Sequence, residues 1–259
     1  MSIGKIALCA ALLSALTGGT AFAAHPLITD DAGTQGKGVV QIELNGEFSS
    51  DKESAAGSTT RYNGGQIAAT IGLGVTDKMD LVFGVTRPWG SGDTDGISFN
   101  DPGSVDFSLG MKWQVYEHEG FSIAVKPQLG YSYAVHTPGD DYTMSYGAAL
   151  VLSREIGKLA LHLNGGYTYN DYHLDTGSRN SIWNASLAAT YQVIDSLKLV
   201  ADFGLSTNAD KTSSEMPAFG LAGVIYSINS NIDLSAGIKA GLNKAENDLT
   251  GLFGATLKF

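Results

Sequence analysis

Few side chains in this sequence are suited to chemistry: five histidines, 26 acidic residues and a single cysteine. His162 is the most suggestive, because it shares a strand face with Asn164 and lies near Ser186. A serine activated by histidine would make a hydrolase. No local serine motif marks a nucleophile, however, and a membrane lipase would have to present the pair to lipid. His162 reads instead as a hydrogen-bonded interior residue. Asp93-Thr-Asp-Gly96 opens like a calcium loop, but Ile97 stands where an oxygen ligand belongs, which favours a solvated loop. His25 beside Asp30 and Asp31 has the types for a metal site, although an irregular tail suits the same stretch. His118, His136 and His173 stand singly in loops or turns, and Asn184-Ala-Ser186 is a glycan acceptor only in hosts that use it. The expectation is no catalytic, cofactor or metal residues and no enzyme.

The other charged residues carry information in their spacing. Glu43, Glu47, Asp80, Asp106, Lys112, Lys126, Lys198, Asp202, Asp233, Lys239 and Lys258 each fall opposite the apolar residues of an alternating segment, as does His162. Successive side chains point to opposite faces of a strand, so one face is greasy and the other carries the charge. A Lys or Arg aimed at mid-bilayer lipid costs about 2–4 kcal/mol. Such phasing, held over so many segments, is what strands need when one face meets hydrocarbon and the other lines an enclosed interior. Eleven of these residues are therefore expected to line a lumen: Glu43, Glu47, Asp80, Asp106, Lys112, Lys126, His162, Lys198, Asp202, Asp233 and Lys239.

The alternating segments run 40–48, 66–75, 79–86, 104–115, 121–133, 143–153, 159–169, 182–193, 197–206, 217–226, 232–242 and 248–259. In 217–226, Phe219, Leu221 and Ile225 mark the apolar side. The connections alternate without a lapse between long (49–60, 88–103, 136–142, 170–180, 207–215, 243–247) and short. Tyr131, Tyr133, Tyr142, Tyr146, Tyr167, Tyr169 and Trp183 cluster beside the long ones, whereas Trp113, Tyr116, Phe121, Tyr191, Tyr226 and Phe259 cluster at the opposite ends. Two aromatic belts suit two membrane interfaces. A soluble β-sandwich would alternate too, burying its apolar faces between two sheets, but it has no need of paired belts or of this loop rhythm. The fold expected is all-β: a transmembrane antiparallel up-and-down β-barrel of about twelve strands in the outer membrane, with short periplasmic turns and longer extracellular loops.

Composition agrees. Charged residues make up 16% of the 259-residue chain, against roughly 25% in soluble domains. Mean hydropathy is near neutral, too polar for a bundle of membrane helices. Residues 1–23 read as a secretory signal peptide: Lys5, an apolar core from Ile6 to Leu16, and Ala21-Phe22-Ala23 ahead of the cleavage point. Cys9 lies within that core, so the mature chain has no disulfide. Loss of Lys5 takes the net charge from −10 to −11, a poor balance for binding nucleic acid.

Residues 24–38 have no periodicity and are expected to be an irregular periplasmic or plug segment, with the barrel occupying 39–259. The inward phase is rich in small residues, such as Gly110, Gly130, Gly147, Gly166, Gly204 and Gly237, which leave room inside. Twelve strands lie between barrels filled by side chains and barrels with open channels. Charges of both signs inside could pair to stabilise the interior or form a polar constriction that selects solutes. The function expected is passive uptake of small solutes through the outer membrane. A non-conducting structural or surface-interaction barrel is the alternative, and an outer-membrane lipid hydrolase the third reading.

The run His25-Pro-Leu-Ile-Thr-Asp-Asp-Ala-Gly-Thr-Gln-Gly-Lys-Gly38, passing into Gln41-Ile-Glu43, resembles the opening of a family of outer-membrane transporters labelled "MetA-pathway of phenol degradation". Asp101-Pro-Gly-Ser-Val-Asp106 ahead of Lys112 is similar to a second recurrent block of that family, from which Asn100 and Ser104 depart. The resemblance implies a barrel that admits small compounds, aromatic or hydrophobic ones among them, and it carries over no catalytic residues. The last strand, ending at Phe259 with apolar residues two, four and six positions earlier, resembles the signal read by the bacterial barrel assembly machinery. The partners implied are thus outer-membrane lipid, that machinery and a small-molecule solute.

Overall fold

The computed structural model describes residues 25–55, 57–135, 141–174 and 177–259. The expected leader, including Cys9 and the cleavage point, lies outside these residues, as does His136. Thirteen strands are formed: β1 (Val40–Ala55), β2 (Ser58–Thr76), β3 (Met79–Thr94), β4 (Ile97–Asp101), β5 (Ser104–His118), β6 (Phe121–Ala134), β7 (Tyr142–Ile156), β8 (Leu159–Tyr172), β9 (Ser181–Ile194), β10 (Leu197–Ser206), β11 (Ala218–Asn229), β12 (Ile232–Gly241) and β13 (Leu249–Lys258). All pairings are antiparallel. β1 pairs with both β2 and β13, so twelve strands close into a barrel without edges. β4 stands apart: it pairs only with Gly90–Thr94 of β3 and folds back as a hairpin above the wall.

The hairpin accounts for the main difference from the sequence pattern. The stretches 49–60 and 88–103 read as loops, yet the ladder continues through most of both. Hydrophobic alternation reports only the lipid-facing height of a strand. Above the bilayer both faces are wet, so a paired strand there has no apolar phase to betray it. Asp95 and Gly96, both with positive φ, form the tip of the β3–β4 hairpin, as tight hairpins require. Asp93 accepts a hydrogen bond from the Gly96 amide, and Asp95 accepts from Ser58 Oγ and the Thr59 amide. Those two bonds hold the Asp95 carboxyl below its usual range. The carboxylates of the calcium-like stretch thus shape a turn.

At the short-turn end the connections shrink to two residues, as at Asp77-Lys78 and Gly157-Lys158. The outer surface is apolar: Ile67, Leu109, Leu163, Leu187 and Ile238 are exposed there, as lipid contact requires. Trp113, Tyr131, Tyr146, Tyr169, Trp183 and Tyr191 are exposed as well, while Tyr133 and Tyr167 are half-buried, Tyr167 against Trp183 at 4.5 Å.

One strand reverses its expected phase. On β11, Phe219, Leu221 and Ile225 are buried inside, and Ala222, Val224 and Tyr226 face out. The reason lies in the lumen: Leu27, from ahead of the first strand, packs against that apolar patch together with Ala188, Val200 and Leu252. β11 turns Phe219, Leu221 and Ile225 toward a partner inside the barrel and leaves Ala222, Val224 and Tyr226 toward the outside.

Candidate lumen site

Residues 25–38 precede β1 and cross the barrel interior. Leaving β1 at the short-turn end, the segment runs toward β3, where the Gln35 amide bonds Asp80 Oδ2 at 3.1 Å. It then passes β5 and β7: the Ala32 carbonyl accepts from Gln114 Nε2, and the Ala32 amide donates to Ser153 Oγ at 2.8 Å. Asp30 sits between β5 and β6, and Thr29 against β10. The segment ends at His25, between β12, β13 and β1.

Two clusters hold it. At the first, the fully buried Asp30 carboxylate receives Lys112 Nζ at 2.9 Å and Lys126 Nζ at 2.5 Å. Burial pushes the Asp30 carboxyl up, but the two ammonium groups outweigh it and hold the net value below the usual carboxylate range. With its amide turned to suit its neighbours, Asn164 binds both the amide and the carbonyl of Asp30. At the second cluster, Asp202 accepts three bonds: from the amides of Ile28 and Thr29, each at 2.7 Å, and from Thr29 Oγ1 at 2.5 Å. Bonds to a carboxylate are roughly twice as strong as neutral ones. Each cluster matches a buried charge to the donors around it, as burial of charge demands.

The far end fits by shape. A Cβ on Gly223 or Gly237 would lie 2.6 or 2.9 Å from Pro26 Cγ, and one on Gly254 would lie 2.7 Å from His25 Nδ1. These positions carry glycine because the N-terminal segment passes against them. His25 Nδ1 pairs with Ser235 Oγ at 2.7 Å, and burial pushes the imidazole down to a pKa of about 4.

Above the segment, on the long-loop side, the lumen is hollow. A cavity of about 190 Å³ extends from Ile28 and Lys126 at its floor to Ser132, Asn170 and Ser206 near the strand ends. Its walls mix hydroxyl and amide groups (Ser145, Thr168, Asn184) with Ile182 and Phe219. The long connections fold in on one side, where Glu246 is buried and meets Lys239 at 3.1 Å.

The proposed lumen residues therefore divide. Glu43, Asp80, Lys112, Lys126, His162, Asp202 and Lys239 are buried inside, and Glu47, Asp106 and Asp233 are half-buried. Asp106 accepts from Ser132, and Asp233 pairs with Lys258 at 3.0 Å near the short turns. Lys198 is exposed, one residue beyond the turn before β10. His25 does not join Asp30 and Asp31, and among the described residues no cluster of three His, Cys, Asp or Glu side chains could hold a metal. His162 Nδ1 does meet a serine, Ser153, at 2.9 Å, but the pair is buried beneath Ala32 and faces the lumen. Asp30, Thr29 and Ser153 carry the interior's hydrogen bonding without any local pattern to announce them. The only signals were the small inward residues and the misphased apolar trio of β11.

Comparison with known proteins adds the following. A family model described as "Putative MetA-pathway of phenol degradation" matches residues 24–259. No curated protein matches the chain. The COG4313 outer membrane channel from Pseudomonas putida F1 is similar in structure, with a TM-score of 0.63, 14% identity, and 88% of this chain and 98% of that chain covered. The KdgM porin gives 0.57 at 10% identity, covering 85% and 99%. The Ralstonia pickettii toluene transporter TbuX gives 0.52 at 11% identity, covering 87% and 90%. At these identities the likeness is one of fold.

Proposed function

The chain belongs to the MetA-pathway of phenol degradation family, and from that premise we propose that it is an outer-membrane channel for passive uptake of small compounds, aromatic or hydrophobic ones among them. One observation carries this reading: the interior is hollow toward the long loops, with about 190 Å³ bounded mainly by apolar and neutral polar groups, and with Lys126, Asp106 and Glu246 as its charged members. That mixture suits a small body with an apolar ring and one or two polar atoms. The names of the similar structures, an outer membrane channel, a porin and a toluene transporter, lend support to passage of small molecules. Recognition of the Phe259 strand by the barrel assembly machinery belongs to the same reading.

The lumen residues act as floor and walls. Asp202, Lys112, Lys126 and Asp80 position the segment that narrows the passage, and the hydroxyl and amide groups above it meet the solute. The segment's tight seating also favours a second reading, a non-conducting barrel whose role is structural or lies in its extracellular hairpins. A lipid hydrolase gains nothing from the Ser153–His162 pair, which is turned away from lipid.

Liposome uptake separates the first two readings. Vesicles bearing the purified barrel should take up benzoate faster than protein-free vesicles. Rates equal to protein-free vesicles, both for the whole barrel and for a barrel lacking residues 25–37, would remove the channel reading.

A further inference from the structure

Lys126 belongs to two structures at once. Its chain lines the floor of the extracellular cavity, and its ammonium grips Asp30 of the N-terminal segment at 2.5 Å. Among the described cavity-lining residues it is the one cationic side chain. The ligand it takes from within the chain is a carboxylate, shared with Lys112 and fully buried. Beside that contact the cavity offers Ile28 and Phe219 as apolar surface, with Asn164 and Thr168 as hydrogen-bonding groups.

From this overlap we propose that the cavity floor is a carboxylate site held shut by the chain's own Asp30, and that a small organic acid with an apolar body releases the segment by taking Asp30's place on Lys126. This rests on the channel reading and deepens it by naming the head group that opens the passage. The exchange is one of ion pairs alone: the incoming carboxylate takes over both ammonium groups that Asp30 shares, Lys126 and Lys112, Asp30 leaves with residues 25–37, and no bond or proton is transferred. Asp30 is tethered and has the benefit of a high effective concentration, which is millimolar for short tethers, so a free acid competes only at comparable levels. A neutral analogue of the same shape has nothing to offer Lys126 and leaves the segment seated. The other anchors, Asp202 on the Ile28 and Thr29 amides and Asp80 on the Gln35 amide, let the segment return once the acid has passed.

The test uses the full barrel with Leu27→Cys as reporter, since the chain's other cysteine, Cys9, lies in the expected leader. The alkylation rate of this buried thiol by a water-soluble maleimide is measured with benzoate, benzyl alcohol or neither. At tens of millimolar, benzoate should raise the rate at least tenfold and benzyl alcohol less than twofold, and Lys126→Gln should abolish the difference. Equal rates with benzoate and benzyl alcohol, or a benzoate response that persists in Lys126→Gln, would overturn the proposal. If Lys126→Gln fails to assemble, as judged by heat-modifiable gel mobility, Asp30→Asn decides: alkylation must then be fast and indifferent to benzoate, and a slow rate counts against the proposal. Benzoate uptake into liposomes is read in parallel, for the intact barrel and for one lacking residues 25–37. Uptake without a benzoate-specific response sinks this inference alone, whereas no uptake by either barrel sinks the channel reading first.

Discussion

The periplasmic and extracellular halves of the lumen are built from similar residues and end up opposite in character. In the lower half, glycines at 223, 237 and 254 admit the irregular N-terminal segment so closely that a single added carbon would collide with it. In the upper half, Gly130, Gly166 and Gly204 line the cavity, and what crowds Gly166 and Gly204 is only the wall itself, the side chains of Asn184 and Phe219. Small inward residues thus create room in both halves, and what differs is whether the chain supplies an occupant. Charge follows the same division. Below, Asp30, Asp202 and Asp80 are satisfied by the segment or by lysines that grip it; above, apolar side chains share the walls with hydroxyl and amide groups, and Asp106 and Glu246 are the carboxylates there.

The contrast can be broken most completely by removing residues 25–37. The lower half should then become hollow like the upper one, and single-channel conductance in planar bilayers should rise several-fold over the intact barrel. Unchanged conductance would mean that the segment does not limit passage. Next in size is Asp30→Ala, which strands two buried ammonium groups. Breaking a buried pair in this way costs about 3–5 kcal/mol, here levied on the seating of the segment. Hydrogen exchange at residues 27–32 should accelerate accordingly while the β-ladder amides stay protected.

A smaller effect separates His25 from the rest. Its folded value, about 4, lies below the ordinary 6.5, so the seated form binds fewer protons between those limits. Seating is therefore firmest above pH 6.5, weakens as pH falls toward 4, and changes no further below that on this residue's account. The gap sets a ceiling of about 3 kcal/mol at 1.36 kcal/mol per unit. The measurement is segment protection against pH, with His25→Gln expected to flatten this window. Asp30 works in a separate range, because its lowered carboxyl sustains seating above its ordinary value and loses it only in stronger acid.

The barrel was legible because lipid enforces a rule on every strand. One misplaced charge costs kilocalories, so alternation, belts and turn rhythm survive in the sequence. The interior obeys no such repeat. Asp30 meets Lys112 and Lys126 across 82 and 96 residues, and His25 meets Ser235 across 210; no window of local sequence spans those distances. On β11 the rule misled, since Phe219, Leu221 and Ile225 are apolar for the sake of Leu27. Lys198 kept the correct phase but sits beyond the lumen at the turn, and phase alone says nothing about height along the axis. The extended hairpins above the wall were missed for the complementary reason, as wet strands carry no hydrophobic imprint.

The seam between β1 and β13 joins the two ends of the barrel's chain, with Val40 and Phe259 exchanging backbone hydrogen bonds. Closure must therefore wait until β13 is available to pair with β1. The N-terminal segment depends on the same late strands, because its seats include β10, β12 and β13. The segment thus braces that seam from within, touching β3, β5 and β7 on one side of it and β10, β12 and β13 on the other.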